Sequence, residues 1–194
     1  MDSPSHTIRE AAATYLAKGL RPIPLWGVKR CPAGTDDKDK GKVPRVATWA
    51  NRHTPFKPHE FLSDDNIALA LGMQPDGRWL VGLDFDSEGE HSRLFNLPET
   101  MITKTPRGWH LYYQVRPYTY LGNWVKVGGV LDVKYVRGAL VAAPSFTMSG
   151  AYETMIRQIP MLPPEVLNWI YAERRKAGFK VSGSLDPSKL PQRR

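Results

Sequence analysis

The stretch between Met101 and Ala143 confines the fold most tightly. It breaks into short strand-like segments, Met101–Thr105, Trp109–Val115, Val130–Val136 and Ala139–Ala143, and turns as brief as Arg107-Gly108 and Arg137-Gly138 separate some of them. A parallel strand pair needs a crossover of a dozen or more residues, so turns this short favour antiparallel hairpins. The pattern predicts an α+β fold rather than a doubly wound parallel one.

The flanking segments agree with that class. Thr7 and Glu10 have capping-box spacing, and Ile8, Ala11, Ala12, Tyr15 and Leu16 follow helical spacing up to Gly19. Arg21-Pro-Ile-Pro-Leu25 reads as extended, because each Pro pushes its predecessor out of the α region. Asn66–Leu71 is a short apolar strand closed by Gly72, and Pro75-Asp-Gly77 is a turn. Short helices are expected over Pro58–Leu62 and over Ser87–Phe95 with Ser87 as N-cap, and a longer one from Pro163-Pro164 to about Ala177. Lys29–Arg45 is a polar loop of mixed charge, to be read either as a solvated loop or as a basic arm that grips phosphates, with Trp49 anchoring the return to the core. Lys180–Arg194 is polar with Gly and Pro. The expected organisation is one domain over 1–178 and a tail or linker over 179–194.

Composition excludes several classes. At 194 residues and 41% hydrophobic, the chain is large enough to bury roughly 70% of its unfolded surface. Cys31 is the sole cysteine, so no disulfide closes within the chain and no structural zinc site with two Cys ligands exists. The longest uncharged run, Gly138–Tyr152, is too short to span a bilayer, and MDSPSHTIRE lacks the pattern of a secretory signal. The expectation is a cytoplasmic protein without a membrane partner. The net charge of +8 permits a polyanionic partner without specifying one.

The sharpest chemical feature is Asp84-Phe-Asp86 at the end of the strand pattern Arg78–Asp86. Residues two apart on a strand share a face, so both carboxylates project together and repel unless a cation lies between them or one is protonated. An oxygen-only pair suits Mg²⁺ or Mn²⁺ better than zinc. The plainer reading is a strand running into an acidic loop. His110 shares a face with Tyr112 and Gln114, and could be an ordinary structural histidine. Just before it, Lys104-Thr-Pro-Arg-Gly108 is a basic turn able to present N–H groups and a guanidinium to phosphate. Asp132 and Lys134 share another strand face, as an ion pair or as part of the same site. Asp84, Asp86, His110, Asp132 and Lys134 on one sheet face point to a cleft.

These segments in their order, Leu-Asp-Phe-Asp86, Thr-Pro-Arg-Gly-Trp-His-Leu-Tyr-Tyr113, Gly-Gly-Val-Leu-Asp-Val-Lys134 and Leu-Val-Ala-Ala-Pro-Ser145, resemble the bifunctional primase–polymerase (prim-pol) domain of the archaeo-eukaryotic primase superfamily, found in phage and plasmid replication proteins. The resemblance covers roughly residues 10 to 152 and includes Pro-Ile-Pro-Leu25 and Gly-Lys-Val-Pro44. It implies a prim-pol fold, with an RNA-recognition-motif-like antiparallel sheet and an N-terminal α/β module. It implies template-directed nucleotidyl transfer from nucleoside triphosphates on single-stranded DNA by a two-metal mechanism, with Mg²⁺ or Mn²⁺ on Asp84, Asp86 and Asp132. His110 matches the histidine that meets the nucleotide's phosphates. Relatives commonly join a helicase.

Two departures bear on the site. Gly108-Trp109-His110 stands where many members have Ser-x-His, leaving backbone N–H groups or Arg107 to replace a hydroxyl. After Asp132 come Lys134 and Arg137, both candidates for the triphosphate, while Lys42 and Arg45 are candidates for triphosphate or template. Trp109 and Trp124 can stack on bases or pack in the core. Two other readings use the same residues: a metal-dependent nuclease, which needs no nucleotide, and a non-catalytic DNA-binding module, indifferent to loss of the acids.

Overall fold

The computed structural model describes residues 7–52, 54–87 and 96–179. The first helix, α1 (Ile8–Ala17), opens on the expected capping box: the Glu10 N–H donates to the Thr7 hydroxyl at 3.2 Å, and the Thr7 N–H donates to the Glu10 carboxylate at 2.8 Å. The strands then run β1 (Arg21–Leu25), β2 (Asn66–Ala70), β3 (Gly72–Met73), β4 (Trp79–Phe85), β5 (Ile102–Lys104), β6 (Trp109–Val115), β7 (Trp124–Val127), β8 (Leu131–Lys134), β9 (Ala139–Ala142), β10 (Phe146–Thr147), β11 (Gly150–Ala151) and β12 (Glu153–Met155). Helix α2 (Pro164–Lys176) follows, with Pro at its first position, where the missing N–H is harmless.

Every pairing between these strands is antiparallel, and the chain is α+β. The larger sheet has the order β12-β5-β6-β4-β8-β7, with β3 also paired to β4; a smaller sheet has the order β1-β2-β9. Thr105–Gly108 closes a true hairpin between β5 and β6. Arg137-Gly138 does not. Both edges of β8 are already taken by β4 and β7, so the chain turns away and β9 pairs with β2 in the smaller sheet.

The larger sheet is covered on both faces. On one side Val81, Leu83, Phe85, Leu111, Tyr113 and Val133 pack with Val166 and Ile170 of α2. On the other, Leu80 and Tyr112 pack with α1 and with Ile67, Leu69 and Leu140 of the smaller sheet. Gly82 lies where the two sheets meet; a Cβ there would stand 2.4 Å from a methyl of Leu140. The face carrying Asp84 and His110 is polar at one end, where β9 of the smaller sheet borders it.

Pro58–Glu60 forms a single 3₁₀ turn, shorter than expected. From residue 88 the expected helix over Ser87–Phe95 lies outside the described residues, as does the expected tail from residue 180. No described helix is long and apolar enough to cross a membrane.

Candidate active site

The site is built on the register of four strands. Asp84 on β4 sits opposite His110 of β6 on one side and Asp132 of β8 on the other, and His110 sits opposite Thr103 of β5. Because facing residues of neighbouring strands point the same way, pairing alone lines these four side chains up in a row across the sheet. Asp86 follows two residues after Asp84, as the strand period requires. Lys134 faces Gly82, one step along from Asp132.

Asp84 is the centre of the row, and its side chain is only 23% exposed. Burial, reinforced by Asp86 and Asp132 and partly opposed by Lys134 and Arg107, pushes its carboxyl up to about 7. The two outer acids are held by cations. Arg107 meets Asp86 at 3.1 Å with both side chains largely in solvent, and Lys134 meets Asp132 at 3.1 Å. The other Asp132 oxygen accepts from the Lys126 N–H at 2.8 Å.

His110 is buried. Its Nδ1 lies 2.9 Å from the Val141 carbonyl of β9, and its Nε2 lies 3.4 Å from Asp84. A carbonyl only accepts, so Nδ1 carries the proton and neutral His110 turns a bare Nε2 into the site. Burial is the main cause that drops its pKa to about 4, with Lys134 and Lys42 adding to it and the Val141 bond opposing.

The turn before His110 supplies a guanidinium, but not free amides. The Arg107 and Gly108 N–H groups both donate to the Thr105 hydroxyl, at 3.2 and 2.9 Å. A Cβ at residue 108 would stand 1.9 Å from the Phe85 carbonyl, so Ser cannot replace Gly108 without moving the backbone. Of the two substitutes expected for the missing hydroxyl, Arg107 is the one left available.

Lys42 is brought to the site by a chain of pairings. Gly41–Arg45 runs beside β1, with the Trp26 N–H on the Val43 carbonyl at 2.8 Å, and Asn66 donates to the Gly41 carbonyl at 2.8 Å. Arg45 serves that packing. Its guanidinium binds the buried Asp65 carboxylate at 3.0 Å and the Glu60 carbonyl at 2.5 Å. A cavity of about 210 Å³ gathers Lys42, Asp84, Asp86, Arg107, His110 and Lys134, together with Ser149 and Tyr152. Arg137 lies in a different cavity, its guanidinium on Asn51 at 3.2 Å. Trp109 and Trp124 pack against the core beside α2, and Arg174 lies 5.0 Å over the Trp124 ring.

Thr105, Ser149, Tyr152 and the Val141 carbonyl escape the sequence reading of the site. A Ser-Gly pair at 149–150 signals a turn, but nothing local says that the turn closes over the cavity.

The donor set suits a hard divalent cation: three carboxylates, one neutral imidazole and no thiolate. Among the described residues no three His, Cys, Asp or Glu side chains yet close around one point. Two of the carboxylates are engaged by Arg107 and Lys134, while Asp84, raised first by burial and then by Asp86 and Asp132, is the carboxyl whose ionised form a cation would favour.

The site is thus a concave one on an antiparallel sheet, with acids and cations side by side. The chain belongs to the family described as bifunctional DNA primase/polymerase, N-terminal, whose model matches residues 12–166. That membership implies DNA and nucleotides as substrates, and nucleotidyl transfer as the reaction class. No curated protein matches the sequence.

Proposed function

We propose that the chain is the catalytic unit, over residues 1–178, of a template-directed DNA primase–polymerase in phage or plasmid replication. Its larger sheet is read as the RNA-recognition-motif-like sheet of the prim-pol fold, and α1 with the smaller sheet as its N-terminal module. The observation that carries this reading is the row His110–Asp84–Asp132, with Asp86 beside it and Arg107, Lys134 and Lys42 around the same cavity. A nuclease needs the acids, and a binding module needs the cations; the combination in one cavity suits a triphosphate.

Two divalent cations, Mg²⁺ or Mn²⁺, held by Asp84, Asp86 and Asp132, would activate the attacking 3′-hydroxyl and stabilise the leaving pyrophosphate. The protein's own groups do the rest. Lys134 and Arg107 leave Asp132 and Asp86 and take up triphosphate oxygens, placing positive charge where negative charge grows. Lys42 adds a further cation to the same cavity. His110 keeps its Nδ1–H on Val141, so its Nε2 meets a phosphate oxygen only when protonated, and the incoming triphosphate favours that proton. Single-stranded DNA supplies the template, and a helicase that opens duplex is the partner such an activity calls for.

The deciding experiment offers unprimed single-stranded DNA and labelled nucleoside triphosphates with Mg²⁺, Mn²⁺ or chelator. Metal-dependent product is expected, and the variant carrying Asp84→Ala and Asp86→Ala should lose it by at least about a thousandfold while keeping its circular-dichroism spectrum. Primer extension by that double variant would overturn the metal assignment. DNA degradation without added nucleotides would favour the nuclease reading.

A further inference from the structure

Arg137 is not in the catalytic cavity, yet it is an unusual residue for its position. It holds φ 62°, in the left-handed region that a Cβ disfavours and where glycine or Asn is the usual choice. Its side chain is exposed, and among the described residues its guanidinium forms no ion pair, only the bond to Asn51. A strained arginine without an acid partner is a poor choice for stability alone.

Its surroundings share that character. Arg137 lines a cavity of about 440 Å³ with Arg21 and Arg52. Arg21 is half-buried and bonds only carbonyls, those of Met73 at 3.3 Å and Arg52 at 2.9 Å, and burial alone acts on it, lowering its pKa. Arg52 has Glu60 as partner, through both carboxylate oxygens at 2.9 and 3.0 Å. Of the three guanidinium groups, only that of Arg52 has a carboxylate partner among the described residues, and the charges of Arg21 and Arg137 stay uncompensated. Packed guanidinium groups on carbonyls form a rigid donor surface, suited to the oxygens of phosphate diesters.

The place of this cavity indicates whose phosphates. Arg137 precedes by two residues Ala139, which lines the catalytic cavity, so their Cα atoms are at most about 7 Å apart. The short connection between β8 and β9 thus joins the two cavities, and a polynucleotide whose end occupied the first would have its neighbouring phosphates beside the second. We infer that the cavity of Arg21, Arg52 and Arg137 is a backbone clamp for single-stranded nucleic acid beside the catalytic cavity. This rests on the primase–polymerase reading for the identity of the strand.

Arg137→Gly tests it cleanly. Glycine accepts the left-handed backbone, so the substitution removes the charge without strain and should not lower the melting temperature. Binding of a labelled single-stranded oligonucleotide is followed by anisotropy against salt in chelator. Losing one phosphate contact should lower the slope of log K against log salt by about 0.7 and weaken binding about fivefold near 0.1 M salt. Arg137→Lys should recover most of it. An unchanged slope for Arg137→Gly overturns the clamp, and with the parent still incorporating nucleotides it does so without touching the function. A fall in nucleotide affinity with DNA binding unaltered overturns it too, by returning Arg137 to the triphosphate. A parent that binds no single-stranded DNA overturns it outright.

Discussion

Asp84 carries opposite consequences for stability and for function. An unfolded aspartate ionises near 3.9, whereas in the fold this carboxyl is pushed up to about 7, by burial first and then by Asp86 and Asp132. Below pH 4 both states are protonated and the residue is neutral to stability. As pH rises from about 4 to about 7 the unfolded chain ionises while the fold keeps the proton, so stability falls, in the end by on the order of 2–4 kcal/mol. A bound divalent cation reverses the sign by favouring the carboxylate. Thermal melts in chelator should therefore find Asp84→Asn more stable than the parent at pH 8, with the gap mostly closed at pH 5. Added Mg²⁺ should raise the parent's melting temperature and leave the variant's alone. Parallel pH profiles for the two proteins would show that Asp84 does not carry this strain.

At the scale of elements, the β5–β6 hairpin determines where both His110 and Arg107 sit, and Gly108 determines the hairpin. Its missing side chain lets β6 start against the Phe85 carbonyl, one residue before Asp86. A methyl there meets backbone, which cannot swing aside. Gly108→Ala should cost at least about 2 kcal/mol in denaturant unfolding and reduce incorporation beyond what the stability loss explains. Gly82→Ala meets the flexible ends of Leu140 and Leu71 instead, and should be milder. If Gly108→Ala unfolds like the parent, the close approach is not what positions the turn. Elements with local causes were legible from sequence: the capping box of α1, the Pro-spaced β1, the Asp-ended β4, the turn before β6. β7 was missed because Lys126 breaks its alternation with φ 49° and its register to β8 shifts. β3, β10 and β11, at two residues each, are too short for any period to show. That Ala139–Ala142 is a strand was legible; that it leaves the larger sheet was not, because its partner β2 lies some seventy residues earlier.

Across the whole molecule, the charges divide by sign and place. That Asp84 shares a face with Asp86, and Asp132 with Lys134, could be read from alternation; that His110, Asp84 and Asp132 form one row depends on the register of β6, β4 and β8. Lys42, Ser149 and Tyr152 join it through non-local pairing, and Arg137 leaves it because two residues of turn after Tyr135 carry it to the smaller sheet. Basic side chains fall in two groups: Lys42, Arg107 and Lys134 share the catalytic cavity with Asp84 and Asp86, and Arg21, Arg52 and Arg137 line another. With no metal bound, the acids then repel the strand that the arginines attract. Changing Asp84, Asp86 and Asp132 together to Asn removes three negative charges and takes the net charge from +8 to +11. In chelator at about 0.05 M salt, that triple variant should bind single-stranded DNA severalfold more tightly than the parent, since the Debye length there exceeds about 10 Å and leaves charges around the strand weakly screened. The advantage should vanish near 1 M salt, where that length is about 3 Å, and nucleotide incorporation should be lost throughout. Were the triple variant to bind DNA more weakly at low salt while still folded, the acids would belong to the DNA interface itself, and the separation of a metal-holding row from a strand-holding clamp would be wrong.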